Sequence, residues 1–184
     1  MIEWTDILYK DSAKVSALLP RVRLHGAKDF TLDHVLNYAC HKGWSLITKE
    51  LVDEYGVDPS SYNNIFAASR EGRTDIVSYL LYHTRFVFTP RISDILRIAC
   101  AFGHLDIVKM CLADPRIDPT WKNNEAVVEA CRMDQVEVLR VLLEDPRTDP
   151  TDQNGYPLKL ALRTEDCNKR STMSKLLRKR GVDI

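Results

Sequence analysis

Apolar and small residues recur along this chain at one long period, and within each period they keep helical spacing. Ala39, Ala68, Ala99, Ala130 and Ala161 are separated by 29, 31, 31 and 31 residues. Four positions after them stand Gly43, Gly72, Gly103, Asp134 and Glu165; eight after the first four come Ile47, Ile76, Ile107 and Val138. Leu51, Leu80, Cys111 and Leu142 follow at twelve. Around Gly103 the apolar set Leu96, Ala99 and Cys100 precedes the glycine, and Ile107, Val108, Cys111 and Leu112 follow it, each at three- and four-residue steps. Such spacing predicts two amphipathic helices per period. Every unit is therefore expected to read helix, turn, helix, loop.

The punctuation has physical reasons. Glycine takes the left-handed conformation that stops a helix sharply, and Asp134 reaches the same region at modest cost. Glu165 fits that turn poorly. The last unit also holds about four extra residues, so that Met173 and Leu177 take over the apolar positions and a longer turn is expected there. Asp75, Asp106 and Glu137 fall in the first turn of the second helix, facing the positive end of its dipole. In DPRIDPT and DPRTDPT the prolines remove backbone donors and force the preceding residue into extension, which predicts a stiff spacer.

These residues resemble the ankyrin repeat family. Gly103-His104-Leu105-Asp106-Ile107-Val108 is similar to its G-H-x-E-I-V turn, and Asn154-Gly155-Tyr156-Pro157-Leu158 with Ala161 is similar to a shortened G-x-T-P-L-x-x-A start. The resemblance implies an all-α fold: an ankyrin-like solenoid of stacked helix-turn-helix repeats with short irregular loops. It covers residues 31–184, and Ile7, Asp11, Val15 and Leu19 extend it to a degenerate first unit. One domain over 1–184 is expected, with a capping repeat at 1–30, repeats at 31–60, 61–91, 92–120 and 121–151, and a C-terminal cap at 152–184. The chain opens at Met1 and closes on Gly181-Val182-Asp183-Ile184, which reads as all repeat. The threonine and histidine of T-P-L-H are replaced by Asp94 and Arg97, or by Glu125 and Val128, so the bracing bonds of the family are expected to be lost. The period also falls short of the family's roughly 33 residues, which argues against β-hairpin fingers.

Composition narrows the job more than the fold. The chain has 26 Lys and Arg against 26 Asp and Glu, so no global field draws it to nucleic acid or an anionic membrane. No apolar run reaches the roughly 20 residues that span a bilayer. Five cysteines without a Cys-x-x-Cys or Cys-x-x-His pair argue against disulfide and zinc frameworks. Cys40, Cys100 and Cys131 share the column after the anchor alanine, where small size explains them, and Cys111 lies in an apolar column. Cys167 falls in the final insertion. No catalytic constellation, cofactor loop or metal set is legible. The expectation is a cytoplasmic monomer, intracellular and with the nucleus as alternative, that is not an enzyme and uses no cofactor.

Stacked repeats offer a long surface made from first helices and loop tips. In the ankyrin family the residue two after the anchor alanine faces it; here that column reads His41, Arg70, Ala101, Arg132 and Arg163. The next column holds Phe102 and Met133, and Trp121 stands at a nearby loop tip. Arginines flanking an aromatic and methionine patch have the composition of a protein-binding hot spot, with arginine able to clamp carboxylates. The expected partner is another protein presenting an acidic, partly apolar segment, held by occupancy as an adaptor or inhibitor would. The alternative is a polyanion or nucleic-acid binder, because seven Lys or Arg face two acids between Arg163 and Gly181. Missing aromatic interleaving speaks against single-stranded nucleic acid.

Overall fold

A computed structural model describes residues 31–60, 63–83, 90–151 and 154–183. Among them are ten α-helices, one 3-10 turn and no strand, so the chain is all-α in its described part. The degenerate unit expected at 1–30 lies outside the described residues. The chain divides into two compact units, Met1–Val87 and Phe88–Ile184. This division falls close to the boundary expected between repeats 61–91 and 92–120, within what was read as a single domain.

The first unit holds α1 (Leu32–Lys42), α2 (Ser45–Asp53), α3 (Asn64–Arg70) and α4 (Thr74–Tyr82). Here α1 packs on α2 and α3, and α4 on α2 and α3. Leu36, Ala39, Cys40, Leu51, Ala68, Val77, Leu80 and Leu81 are wholly buried. A contact of 3.2 Å between the His83 ring and Asp53 and a 2.8 Å bond from Tyr79 to the same carboxylate tie α4 back to α2.

The second unit opens with a 3-10 turn at Pro90–Ser93. It continues through α5 (Asp94–Phe102), α6 (Leu105–Ala113), α7 (Trp121–Arg132), α8 (Val136–Glu144), α9 (Tyr156–Arg163) and α10 (Cys167–Lys179). First helices pack on first helices, α5 on α7 and α7 on α9, while the second helices α6, α8 and α10 form their own row. Ala99, Ala130 and Ala161 are wholly buried, as are Ile107, Cys111, Leu142, Met173 and Leu177. The sequence columns are thus physical columns: a larger residue at an anchor alanine would push neighbouring helices apart.

The turns repeat to within a tenth of an ångström. Trp44, Arg73, His104 and Gln135 each donate their backbone N–H to the anchor alanine five residues earlier at 2.9 Å. The intervening residue is left-handed every time, Gly43, Gly72, Gly103 and, as expected, Asp134 at φ 56°. At Gly103 a second demand applies, because a Cβ there would lie 2.5 Å from the Gln135 side-chain oxygen. The last turn is rebuilt over Thr164–Asp166 without a left-handed residue; Asp166 caps α10 by accepting from the N–H groups of Asn168 and Lys169.

Each spacer is made of two local turns. Asp114 accepts the Arg116 backbone N–H and guanidinium at 2.9 and 2.6 Å, and Asp118 accepts the Thr120 N–H and hydroxyl at 2.9 and 2.8 Å. Asp145, Arg147, Asp149 and Thr151 repeat the scheme. Asp114 and Asp145 are extended, at ψ 115° and 123°, as residues before proline must be. The spacers also reach across repeats. Arg147 donates to the carbonyls of Leu112 and Ile117 at 2.7 and 3.4 Å, and Arg180 to that of Thr148 at 2.9 Å.

One feature is unlike a plain helix start. Lys122, Asn123 and Asn124 are left-handed at φ 53°, 59° and 60° before α7 turns right-handed. Asparagine is the side-chain-bearing residue that accepts this region most readily, and Asn63 and Asn154 also have positive φ at the starts of α3 and α9. Asn124 is buried, and its carbonyl oxygen accepts the backbone N–H of Asp149 at 3.3 Å. Ser93 does the same for Asp118 at 3.0 Å.

Candidate functional site

The basic column sits where helix termini put it. His41 and Arg70 lie in the last turns of α1 and α3 in the first unit; Arg132 and Arg163 end α7 and α9 in the second. Cationic side chains there favour the negative end of each helix dipole. His41 Nδ1 lies 3.4 Å from Glu71, whose carboxylate is also 4.0 Å from Arg70. Ala101, the member of the column on α5, is buried.

Phe102 and Met133 occupy equivalent positions at the C-terminal ends of the neighbouring helices α5 and α7, and are 48% and 46% exposed. The Phe102 ring stacks on His104, with centroids 6.3 Å apart and planes 11° from parallel. Trp121 does not join them. It begins α7 whereas Met133 follows its last residue, and at 1.5 Å per residue the right-handed turns from Glu125 to Arg132 alone separate the two ends by roughly 10 Å. Its indole N–H is buried and finds no hydrogen-bond partner among the described residues.

Arg132 is not a loose surface charge. Its guanidinium grips Glu129 one turn earlier through bonds of 2.5, 2.6 and 3.1 Å, and that carboxylate is 5% exposed. Arg97 reaches the same carboxylate at 3.7 Å and also pairs with Asp94 at 3.4 Å; Lys122 completes the group at 3.2 Å from Asp94. Burial pushes the Asp94 carboxyl up, but the bonds and charges of Lys122 and Arg97 outweigh it and hold it below the usual range. The Glu129 bond in turn raises the Arg132 guanidinium.

This charge group was not anticipated. The replaced threonine and histidine positions, Asp94 and Arg97, brace the first helices through ion pairs instead of losing the bracing. The available signal was the i, i+3 pairs Asp94/Arg97 and Glu129/Arg132. The links from Lys122 to Asp94 and from Arg97 to Glu129 need the packing of α5 on α7.

Beside the group lies a depression of about 320 Å³ lined by Lys122, Glu125, Val128, Glu129, Arg132 and Tyr156. The four cysteines of the core are buried, and burial raises their thiols, those of Cys40, Cys111 and Cys131 to about 12. Such thiols are neutral at physiological pH and unsuited to nucleophilic attack. Among the described residues no three His, Cys, Asp or Glu side chains are grouped to hold a metal ion, and no helix is long and apolar enough to cross a membrane. No protein-family model matches the chain, and no curated protein matches it.

Proposed function

We propose that the chain is a non-enzymatic protein-interaction module of ankyrin-like repeats, binding an acidic, partly apolar segment of a partner along the C-terminal ends of its first helices. The observation that carries this reading is the exposure of Phe102 and Met133 at equivalent positions of adjacent helices, each three residues after a wholly buried anchor alanine, Ala99 or Ala130. Large apolar side chains on neighbouring elements with arginine beside them match the core of a protein interface. On the second unit Arg163 supplies a carboxylate contact; on the first unit, taken by itself, Arg70 and His41 offer the same chemistry. Arg132 takes part only as far as Glu129 releases it. A preformed surface avoids much of the ordering cost of association. The same reading has the protein acting as a monomer in the cytoplasm or nucleus, by occupying or bridging its partner.

The test is a pull-down from source lysate with wild type, with Phe102→Ala plus Met133→Ala, and with Arg163→Glu. A protein retained by wild type and lost from both folded variants supports the reading. Unchanged retention by both overturns it.

A second reading draws on α10. Lys175, Arg178 and Lys179 are exposed there, opposite the buried Met173 and Leu177, without an ion pair among the described residues and without an acidic residue anywhere in the helix. That face suits a polyanion, whose retention would collapse steeply with salt and ignore Phe102.

A further inference from the structure

We infer that the depression between α7 and α9 is a subsite for a single basic side chain, a guanidinium or ammonium, of a partner protein. The inference rests on the reading of the first helices as a binding face, and it assigns that face a cation-accepting point among its arginines.

The charges lining the depression decide its polarity. Glu129 is saturated by Arg132 and Arg97, and Lys122 is held by Asp94. Glu125 alone among the lining acids makes no ion pair or hydrogen bond with the described residues, although it is only half-exposed. Arg132 feels its charge at longer range, after the stronger pull of Glu129. A half-buried carboxylate whose cation acts only at longer range can accept a closer one, since its water is already partly removed.

The walls suit the same occupant. Tyr156, 45% exposed, adds an aromatic side chain to the lining, and Val128 gives an apolar wall for a methylene stem. At about 320 Å³ the space lies at the small end of ligand sites, right for one long side chain and too small for a folded element. An incoming carboxylate would meet Glu125 and two cations already committed to buried acids. Glu125 is thus the lining charge left for an incoming cation, while Arg163 at the other end of α9 suits an acid.

The experiment is an amide-resolved NMR titration of the full chain with N-acetyl-arginine amide and N-acetyl-lysine amide, with N-acetyl-glutamine amide and N-acetyl-glutamate amide as neutral and acidic controls. The expected result is saturable shifts confined to the neighbourhood of residues 122–132 and 156 for one or both basic probes, the stronger one identifying the side chain. Glu125→Gln should weaken that binding at least about fivefold, the worth of about 1 kcal/mol. Tyr156→Leu should weaken it as well, and both variants should keep the wild-type helical spectrum. No saturable shift, equal binding by Glu125→Gln, or matching shifts from the neutral or acidic probe overturns the subsite. These outcomes are separate from the pull-down: a lost subsite with an intact Phe102-dependent partner leaves the groove reading standing, and the reverse leaves the subsite.

Discussion

Arg132 and Arg163 stand in the same column of the repeat, yet charge reversal should affect them very differently. At Arg132 the side chain is 57% exposed, so a surface pair would be worth at most about 1 kcal/mol. Its partner is the reason to expect more. Glu129 is 5% exposed and takes three bonds from this guanidinium, and hydrogen bonds to charged groups contribute about 1.5–3 kcal/mol net. Discounting for the exposed arginine and for Arg97, which stays at 3.7 Å, leaves about 1–2 kcal/mol lost on removal. Reversal adds repulsion: two carboxylates about 6 Å apart at an effective dielectric near 20 repel by roughly 3 kcal/mol, partly relieved as the new side chain swings outward. Arg132→Glu should therefore destabilise by about 2–4 kcal/mol and lower the melting temperature by roughly 5–15 °C for a chain of this length. Arg163→Glu, at an exposed position without an ion pair among the described residues, should stay within about 0.5 kcal/mol of wild type. Urea unfolding followed by far-UV circular dichroism, read as midpoints, compares the two. If Arg132→Glu unfolds at the Arg163→Glu midpoint, the buried Glu129 is not being held by Arg132 and the argument fails.

Two further predictions follow from the core and its turns. Gly103→Ala should cost about 1–2 kcal/mol, from its φ of +76° and from the Gln135 side chain that a Cβ would meet at 2.5 Å; Gln135→Ala should relieve only the steric part, and full recovery in the double variant would refute the left-handed requirement. In the native protein a disulfide reagent at pH 8 should find one rapidly reacting thiol, Cys167. The other four are buried with raised pKa values, hence protonated well above that pH, and should react only on unfolding; a second fast thiol in the folded state would contradict this burial.

Much of the helical scaffold was legible because it rests on size and backbone chemistry alone. Ala99, Ala130 and Ala161 had to be small where helices meet, Asp134 could replace glycine, and Asp114 and Asp145 had to be extended before proline. Met173 and Leu177 took the shifted apolar positions, and both are wholly buried. The site was less legible. Periodicity gave the exposed Phe102 and Met133 their shared position, but Trp121 was misplaced because the register says nothing of which end of a helix a loop-tip residue reaches. Burial of Asp94 and Glu129 was hidden for another reason: carboxylates read as solvated until cations about thirty residues away, Lys122 and Arg97, are seen to meet them. The left-handed run at Lys122–Asn124 left only its asparagines as a clue.

The arginines that reach back to the carbonyls of the preceding repeat make the second unit a linked series. Arg147 secures the carbonyls of Leu112 and Ile117, and Arg180 that of Thr148, so each loop is fastened by the repeat that follows it. Losing the turn at Arg180 would unfasten the loop at Thr148, and losing α6 would strip Arg147 of the Leu112 carbonyl. Each latch therefore couples two successive repeats, and fraying at either end of the unit reaches the spacer next to it.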